Sequence, residues 1–472
     1  MRRISFVLLL FSTMHIHAQE FSCDNPSITA AFRLAVETVD INTRRGILAA
    51  GADYGGEWTR DIAINSWNGV SVLRPQVAEQ SLWSVTINKD TIGHQYWDKI
   101  IWAIAAYNHY LVNGDKAFLT QAYICSTNTM KELEHKTFDA NYGLFMGPSV
   151  FNDGIAAYPK PIFDTLNFSS GVLDHKNSTY MKCLSTNCLY YGAYMALSKM
   201  SIALNKNKEA TASYQKKAES LKKNILKHFY DKDSNSFYYL IDQNGKAHKY
   251  QEALGISFAV IFGIIDGEKA DQLIHHAVVS KYGITSIYPD FPRYSPEKPG
   301  RHNNLIWPMV NGFFAKASLV AGDDSSFTKE LFDLTHLALD EDKGNYDFRE
   351  IYNPTTGKPD GGWQANGALN PNYHWESCKL QTWSATAYIS MILNGLFGLR
   401  FNEQSLSFSP YLPSGIHFIE MKNLKYRHSI LDISIKGNGK SFRKFTVDGK
   451  EQVNHSINSA LKGKHNISVE LE

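Results

Sequence analysis

Glu350 lies in the densest run of chemistry-bearing residues in the chain. It stands in Arg349-Glu350-Ile351-Tyr352-Asn353-Pro354-Thr355-Thr356-Gly357, a carboxylate just ahead of an Asn-Pro-x-x-Gly turn. Pro fixes φ and Gly tolerates positive φ, so such a turn gives a neighbouring side chain a set direction. Tyr346, Tyr352, Trp363, Gln364, Trp375 and Trp383 lie around it in sequence. These are rings that stack on sugar faces and amides that bond hydroxyls. Hydrolysis of a glycosidic bond takes two carboxyl groups, which raises the question of where the second one lies.

Four further stretches hold candidates. Asp53-Tyr54-Gly55-Gly56-Glu57-Trp58-Thr59-Arg60-Asp61 opens a helical pattern and presents three acids, an Arg and a Trp together. Asp61 reads either as the cap of that helix or as half of an Arg-Asp pair gripping vicinal sugar hydroxyls, the carboxylate accepting and the guanidinium donating. Gly147-Pro148-Ser149-Val150-Phe151-Asn152-Asp153-Gly154 holds one acid in a loop. Asn-Asp-Gly alone is an ordinary turn signal, but the loop falls between helical pairs. Ile306-Trp307-Pro308-Met309-Val310-Asn311 enters an apolar helix, with Pro308 in the first turn. Trp307 and Asn311 read equally as a buried helix start or as substrate-facing groups. Tyr373 to Trp383 leads into the last helix and contributes Glu376, Gln381 and Trp383; Glu376 rivals Glu350 as the catalytic carboxylate.

Other chemistries lack their residues. The chain has no His or Cys cluster at metal-ligand spacing, no Gly-x-Ser-x-Gly elbow and no phosphate-binding glycine loop. No cofactor and no metal is implied. Basic and acidic residues nearly balance, at 48 and 46, without a basic stripe. Nucleic acid and membrane surfaces are therefore not expected partners; an oligosaccharide or glycoside is.

Helical periodicity sets the frame for these loops. It predicts helices over 27–39, 61–73, 97–113, 116–136, 187–205, 208–228, 252–264, 268–279, 304–320, 326–339 and 380–397. Several adjacent pairs are joined by short turns such as Asn113-Gly114-Asp115 and Gly322-Asp323-Asp324. Longer Gly-, Pro- and aromatic-rich segments separate the pairs. Eleven or twelve helices paired this way suggest six hairpins closing into an all-α barrel. After Gly398 the pattern alternates apolar and polar residues in short runs, at 406–409, 424–427, 431–435 and 442–447. That predicts a small antiparallel β domain.

Residues 1–18 read as a secretory signal peptide: Arg2-Arg3, an apolar run from Ile4 to Phe11, and Ala18 at the cleavage point. The apolar run is too short to span a bilayer, which takes about 20 residues. The expected division is 1–18 signal peptide, 19–400 all-α catalytic domain and 401–472 β domain, with export to the periplasm or beyond. In an oxidising compartment Cys183 and Cys188 are placed to pair, and the odd total of five cysteines leaves at least one free.

Taken in order, Trp-x-Arg-Asp, the Asn-Asp-Gly loop, Ile-Trp-Pro-x-x-Asn and Glu-x-Tyr-Asn-Pro-x-Thr-Gly resemble the (α/α)6-barrel, or six-hairpin, glycosidases. The likeness is nearest to glycoside hydrolase family 63 and the trehalases of family 37, and it covers roughly residues 50–400. The C-terminal strands look like the β domain of the phosphorylase and rhamnosidase branches. The resemblance implies an inverting mechanism with Asp153 as general acid and Glu350 as general base, about 6.5–9.5 Å apart. An acid working near neutral pH needs a raised pKa, which is the expectation for Asp153. Trp58, Arg60 and Asp61 would bind the terminal sugar. Trp307, Asn311, Tyr352, Trp363, Glu376, Gln381 and Trp383 would shape the pocket. The implied activity is that of a secreted, exo-acting glycosidase with α-glucosides as first substrate class. α-L-Rhamnosides and a non-catalytic sugar-binding barrel are the alternatives.

Overall fold

The computed structural model describes residues 19–55, 58–93, 97–340 and 346–472. The expected signal peptide at 1–18 lies outside the described residues, as do Gly56 and Glu57. The described chain is helix-rich, with a separate β-sheet region.

The helices are α1 (Pro26–Ile41), α2 (Thr59–Asn65, continued by a π turn at Ser66–Val70 and on to Leu73), α3 (Pro75–Ser84), α4 (Ile101–Asn113), α5 (Lys116–Thr137), α6 (Leu184–Ala203), α7 (Lys208–His228), α8 (Ala253–Ile261), α9 (Gly267–His275), α10 (Pro308–Ala321), α11 (Asp324–Leu339) and α12 (Thr382–Ser390, continued by a π turn at Met391–Leu396). The periodicity predicted all of these except α3. Its buried face is only Ala78, Ser81 and Leu82, too small and polar for a clear stripe. Pro75 at its first position was the available signal.

The even-numbered helices are buried almost all round. In α6, sixteen of twenty residues are buried, the pattern of a helix enclosed by others. Each even helix contacts the next, α2 to α4, α6, α8, α10 and α12, and α12 contacts α2 again, so the circuit closes. The odd-numbered helices pack outside it, α7 on α6, α11 on α10 and α1 on α12. They bury one stripe each; α7 buries only Ala218, Leu221 and Ile225. Closure is stitched by polar contacts between the chain's two ends: Thr386 Oγ1 donates to Asn65 Oδ1 (2.7 Å), Thr382 N to Ala50 O (2.8 Å) and Asn42 Nδ2 to Thr382 Oγ1 (2.9 Å).

The two ends of this ring differ, and the difference places the site. Even-to-odd connections are short. Gly114 and Gly322, at φ 76° and 96°, terminate α4 and α10 in the left-handed conformation that glycine tolerates. Asp115 and Asp323 then cap α5 and α11 with their side chains. Odd-to-even connections are long, and among the described residues four of them begin with a two-stranded β hairpin, at Thr43–Leu48, Thr86–Ile92, Phe138–Phe145 and Tyr230–Phe237. All six long connections end at the N-terminus of an even helix. Six positive helix dipole ends therefore face one region.

The larger sheet of the β region is six-stranded: β1 (Glu20–Cys23), β2 (Phe418–Tyr426), β3 (Ser429–Lys436), β4 (Phe442–Val447), β5 (Lys450–Glu451) and β6 (Gly463–Leu471), in the order β1-β2-β3-β6-β4-β5, beside a three-stranded antiparallel sheet of Leu399–Phe401, Ser405–Phe408 and Ser456–Asn458. The larger sheet is not wholly antiparallel as expected, because β3 and β6 run parallel from Ser429–Gly463 to Lys436–Glu470. The excursion through β4 and β5 between them supplies the crossover that parallel pairing needs. β1, from the far end of the chain, pairs antiparallel with β2. The inner faces of β2, β3 and β6 (Ile419, Met421, Ile433, Ile435, Ile467, Val469) share one apolar core with α1, α11 and α12. Among the described residues no helix is long and apolar enough to cross a membrane.

Candidate active site

At the end of the ring where the long connections converge lies a pocket of about 300 Å³. Tyr54 and Trp58 come from the α1–α2 connection, and Arg60 and Asp61 from the first turn of α2. Phe151, Asp153 and Gly154 come from the α5–α6 connection, and Arg301, His302 and Trp307 from the α9–α10 connection. Glu350, Gln364, Trp375, Gln381 and Trp383 come from the α11–α12 connection and the start of α12. The two carboxylates singled out in the sequence, Asp153 and Glu350, thus share one cavity. Trp58, Arg60, Asp61, Trp307, Gln381 and Trp383 line it with them.

Each carboxylate has its own cation. Arg60 donates through Nη2 to Asp153 Oδ2 (3.1 Å) and through Nη1 to Asp98 Oδ2 (3.2 Å). Asp98 is fully buried and also accepts the Phe151 amide at 3.1 Å. One carboxylate thereby ties α2 to the Asp153 loop. Phe151 itself adopts φ 59°, a left-handed conformation unfavourable for an aromatic residue. Its ring is held by Trp307 (5.3 Å) and by the edge of Trp383 (6.2 Å). Strain of this kind persists only where the surroundings impose it, and here it aims Asp153.

Glu350 is fixed on both oxygens. The Tyr54 hydroxyl donates to Oε1 (2.9 Å), while Arg301 Nη2 (2.9 Å) and the Cys378 amide (3.4 Å) donate to Oε2. The Arg301 guanidinium lies between the indoles of Trp307 and Trp375, 5.5 and 5.3 Å from the ring centroids. Its other donors go to the carbonyls of Gly361 and Glu376. Burial and the Glu350 charge hold the Tyr54 hydroxyl protonated, well above the usual phenol range, so Tyr54 stays a donor.

The electrostatics reverse one expectation. Burial alone would raise Asp153, but the Arg60 guanidinium and the His302 imidazole outweigh it and hold the carboxyl below the usual range. The carboxyl that is displaced upward is Asp61, to about 7, chiefly by burial and against the pull of Arg60 3.9 Å away. Asp61 is the third residue of α2 and makes no cap hydrogen bond, so the capping alternative falls. Asp153 keeps 32% of its side chain exposed, against 6% for Asp61 and 5% for Glu350. It is the carboxylate most open to a ligand.

Four expected pocket residues lie elsewhere. Asn311 is 2% exposed and donates to Glu330 Oε2 at 2.7 Å, between helices. Tyr352 is fully buried against Tyr282, Ile306 and Leu337, and its hydroxyl donates to Asp347 O. Trp363 precedes Gln364 on a short strand; successive side chains point to opposite faces, so Gln364 enters the pocket while Trp363 stacks on His374 (4.9 Å). Glu376 likewise points outward and is exposed, while Trp375 lines the cavity. Glu376 therefore lies outside the cavity that holds Glu350. Cys183 and Cys188 are both free and buried; Cys183 precedes α6 and Cys188 lies inside it.

Sequence reasoning missed Tyr54, Asp98, Arg301 and His302 as site groups. Tyr54 lies in the 53–61 motif. Arg301 and His302 lie in Pro299-Gly300-Arg301-His302-Asn303-Asn304, a polar run just before the Trp-Pro helix entry. That density of polar side chains before a helix start was the available signal.

Comparisons with known proteins identify the family and the fold. The sequence model of the mannosylglycerate hydrolase MGH1-like glycoside hydrolase domain matches residues 70–376, and that of the glycosyl hydrolase family 65 C-terminal domain matches 399–455. No curated protein sequence matches significantly. Among solved structures, one described as a sialidase superposes with a TM-score of 0.67 at 16% identity over 87% of this chain, which spans 37% of that protein's length. The family 63 mannosylglycerate hydrolase from Thermus thermophilus, in complex with glucose, superposes at 0.59 with 15% identity, covering 77% of this chain and 99% of that one. A family 78 rhamnosidase from a Bacillus species gives 0.60 at 12% identity over 96% of this chain and 44% of its own. These likenesses concern the fold. With a family match over most of its length, the chain belongs to the mannosylglycerate hydrolase MGH1-like glycoside hydrolases.

Proposed function

We propose that the chain is a secreted, exo-acting, inverting glycosidase built on an (α/α)6 barrel, with Asp153 as general acid and Glu350 as general base. The observation that carries this reading is the separate clamping of two carboxylates in one cavity, Asp153 by Arg60 and Glu350 by Arg301 and Tyr54. Asp153 protonates the leaving oxygen. Glu350 takes a proton from the water that attacks the anomeric carbon from the opposite face, which inverts its configuration. Tyr54 and Arg301 orient Glu350 so that its charge is directed at that water.

The exo mode is supported by the size of the pocket, about 300 Å³, at the small end of ligand sites. Trp58 and Trp375, the half-buried indoles of the lining, supply ring surface for a sugar, with the buried Trp307 and Trp383 forming the wall behind. Secretion is supported by the pattern of residues 1–18. α-Glucosides are the leading substrate class. α-Mannosides enter through the family's name, and α-L-rhamnosides through the likeness to the Bacillus enzyme.

The test is a panel of aryl α-glucosides, α-mannosides and α-L-rhamnosides, with the first-formed anomer read by proton NMR. The expected product has the opposite configuration to the substrate; a retained anomer refutes the mechanism. Asp153→Asn and Glu350→Gln each abolish hydrolysis while the folded far-UV spectrum is kept. Turnover near wild type in either variant refutes the assignment.

A further inference from the structure

An acid held ionised by Arg60 is a poor proton donor, and the geometry around Asp153 offers a way past this. We propose that Asp153 and His302 act as one acid, a single proton shared between Asp153 Oδ1 and His302 Nε2 being the one delivered to the leaving group. The proposal rests on the assignment of Asp153 as the general acid and adds His302 as the positioning residue that loads it.

The two oxygens of Asp153 are not equivalent. Oδ2 faces Arg60 Nη2 at 3.1 Å, and a guanidinium only donates. A proton on Oδ2 would sever that contact. Oδ1 faces His302 Nε2 at 3.5 Å. An imidazole nitrogen is a donor in one tautomer and an acceptor in the other, so this oxygen alone can gain a proton without losing its partner.

The His302 ring is fixed in place but not in tautomer. It is 4% exposed and stacked on Trp307 at 4.7 Å and 22°. Gly154 packs against Nδ1, and a side chain at 154 would strike both that atom and Gln364 Oε1. Nδ1 is buried with no protein partner. A histidine held in one tautomer has that nitrogen bonded to a carboxylate or carbonyl; here it is not, so the ring can present Nε2 as donor or as acceptor.

The other charged groups facing the pair are Arg60 and Asp61 from α2, Asp98 from the turn before α4, Arg301 from the α9–α10 connection and Glu350 from the α11–α12 connection. Arg60 is engaged by Asp98 and Arg301 by Glu350. Burial holds His302 below the ordinary imidazole range despite the pull of Asp153, so the pair takes up its single proton in acidic solution and the acid works on that side of neutrality. A sugar filling the pocket removes the remaining exposure of Asp153. Desolvation disfavours an imidazolium–carboxylate pair relative to imidazole and carboxylic acid, which moves the shared proton onto Oδ1.

The step then balances. Oδ1 gives its proton to the glycosidic oxygen, which keeps the electron pair of the breaking bond to the anomeric carbon. Water forms the new bond to that carbon and loses a proton to Glu350. Glu350 releases one proton to solvent, and the Asp153–His302 pair takes one up.

The test compares wild type, Asp153→Asn and His302→Gln on a methyl glycoside and the corresponding glycosyl fluoride, with the sugar selected by the aryl panel. Fluoride departs without a general acid. In His302→Gln, kcat on the methyl glycoside is expected to fall by roughly 10²-fold or more, fluoride hydrolysis to stay within a few-fold, and the basic limb of kcat/KM to move to lower pH. Methyl glycoside turnover close to wild type with an unmoved limb overturns the sharing. If Asp153→Asn loses both substrates equally, the assignment of Asp153 as the acid fails, whatever His302 does. A substrate-free readout is the ¹⁵N-detected titration of histidine side chains in the folded protein. Asp153→Asn is expected to lower the His302 midpoint by roughly one pH unit; an unchanged midpoint overturns the coupling.

Discussion

Glu330 offers a sharp test of how this interior handles charge, and of why Asn311 lies outside the pocket. Glu330 lies on α11, 1% exposed. Its Oε1 accepts from the Ile284 amide (2.9 Å) and its Oε2 from Asn311 Nδ2 (2.7 Å). Burial outweighs those two bonds and lifts the carboxyl from 4.5 to about 8. Asn311 Oδ1 has no protein partner. If the amide flips, a protonated Oε2 donates to Oδ1, while Oε1 keeps Ile284. Glu330→Gln reproduces that arrangement at every pH. The native state binds more protons than the unfolded chain between pH 4.5 and about 8, so wild-type stability falls as pH rises through that window and is level above it. A displacement of about 3.5 pH units at about 1.36 kcal/mol each sets a ceiling of about 5 kcal/mol on the penalty. Glu330→Gln is expected to raise Tm by several degrees at pH 9 and to change it little at pH 5, measured by calorimetry at both. The same shift at the two pH values, or a loss at pH 9, refutes the reasoning. Activity on any substrate of the panel should be unaffected, because neither Glu330 nor Asn311 lines the cavity.

Two further outcomes follow from the pocket. Asp61, lifted to about 7, is uncharged in mildly acidic solution, so Asp61→Asn at pH 5 is expected to keep KM within a few-fold, whereas Asp61→Ala raises it by roughly tenfold or more because the side chain that would bond a sugar hydroxyl is gone; wild-type KM should rise above pH 7 while that of Asp61→Asn does not. Equal damage by the two substitutions at pH 5 refutes a neutral Asp61. Arg301→Lys keeps a positive charge but gives up the planar fork that joins Glu350, Tyr54 and two carbonyls. It is expected to lower kcat by roughly 10–100-fold with little change in KM, and an unchanged kcat in steady-state assays would show that Tyr54 and the Cys378 amide orient Glu350 without Arg301.

Most helices were legible because their apolar faces repeat at helical spacing and their ends carry Gly, Asp or Asn where caps need them. Helix α3 was not, because Ala78 and Ser81 carry too little apolar surface to mark a face. The parallel pairing of β3 with β6 was invisible for a different reason: strand direction is a tertiary property that alternation does not encode. In the site, Asp153, Glu350, Trp58 and Arg60 stood out because Gly and Pro break the chain around them and leave polar groups without a secondary-structure role. Asn311 and Tyr352 sit in similar contexts but face neighbouring helices. The direction of a side chain at a helix start depends on what packs against it. Trp363 and Glu376 were each one residue out of phase with the true lining groups, Gln364 and Trp375. Arg301, His302 and Asp98 take their meaning from partners 49, 149 and 38 positions away (Glu350, Asp153 and Arg60), which no local pattern records.

Closure of the ring by α12 against α2 bears on the order in which the molecule is made. Thr386 reaches back 321 positions to Asn65, and Asn42 reaches forward 340 to Thr382. A ribosome that has released five helical pairs has produced an open arc. Its cavity still lacks Glu350, Gln381 and Trp383, and the apolar flank of α2 that α12 will cover faces water. Contacts so distant in sequence carry a large loop-closure entropy and form late. A chain stalled before residue 382 therefore lacks Gln381's helix and Trp383 from the pocket wall and leaves that flank of α2 uncovered.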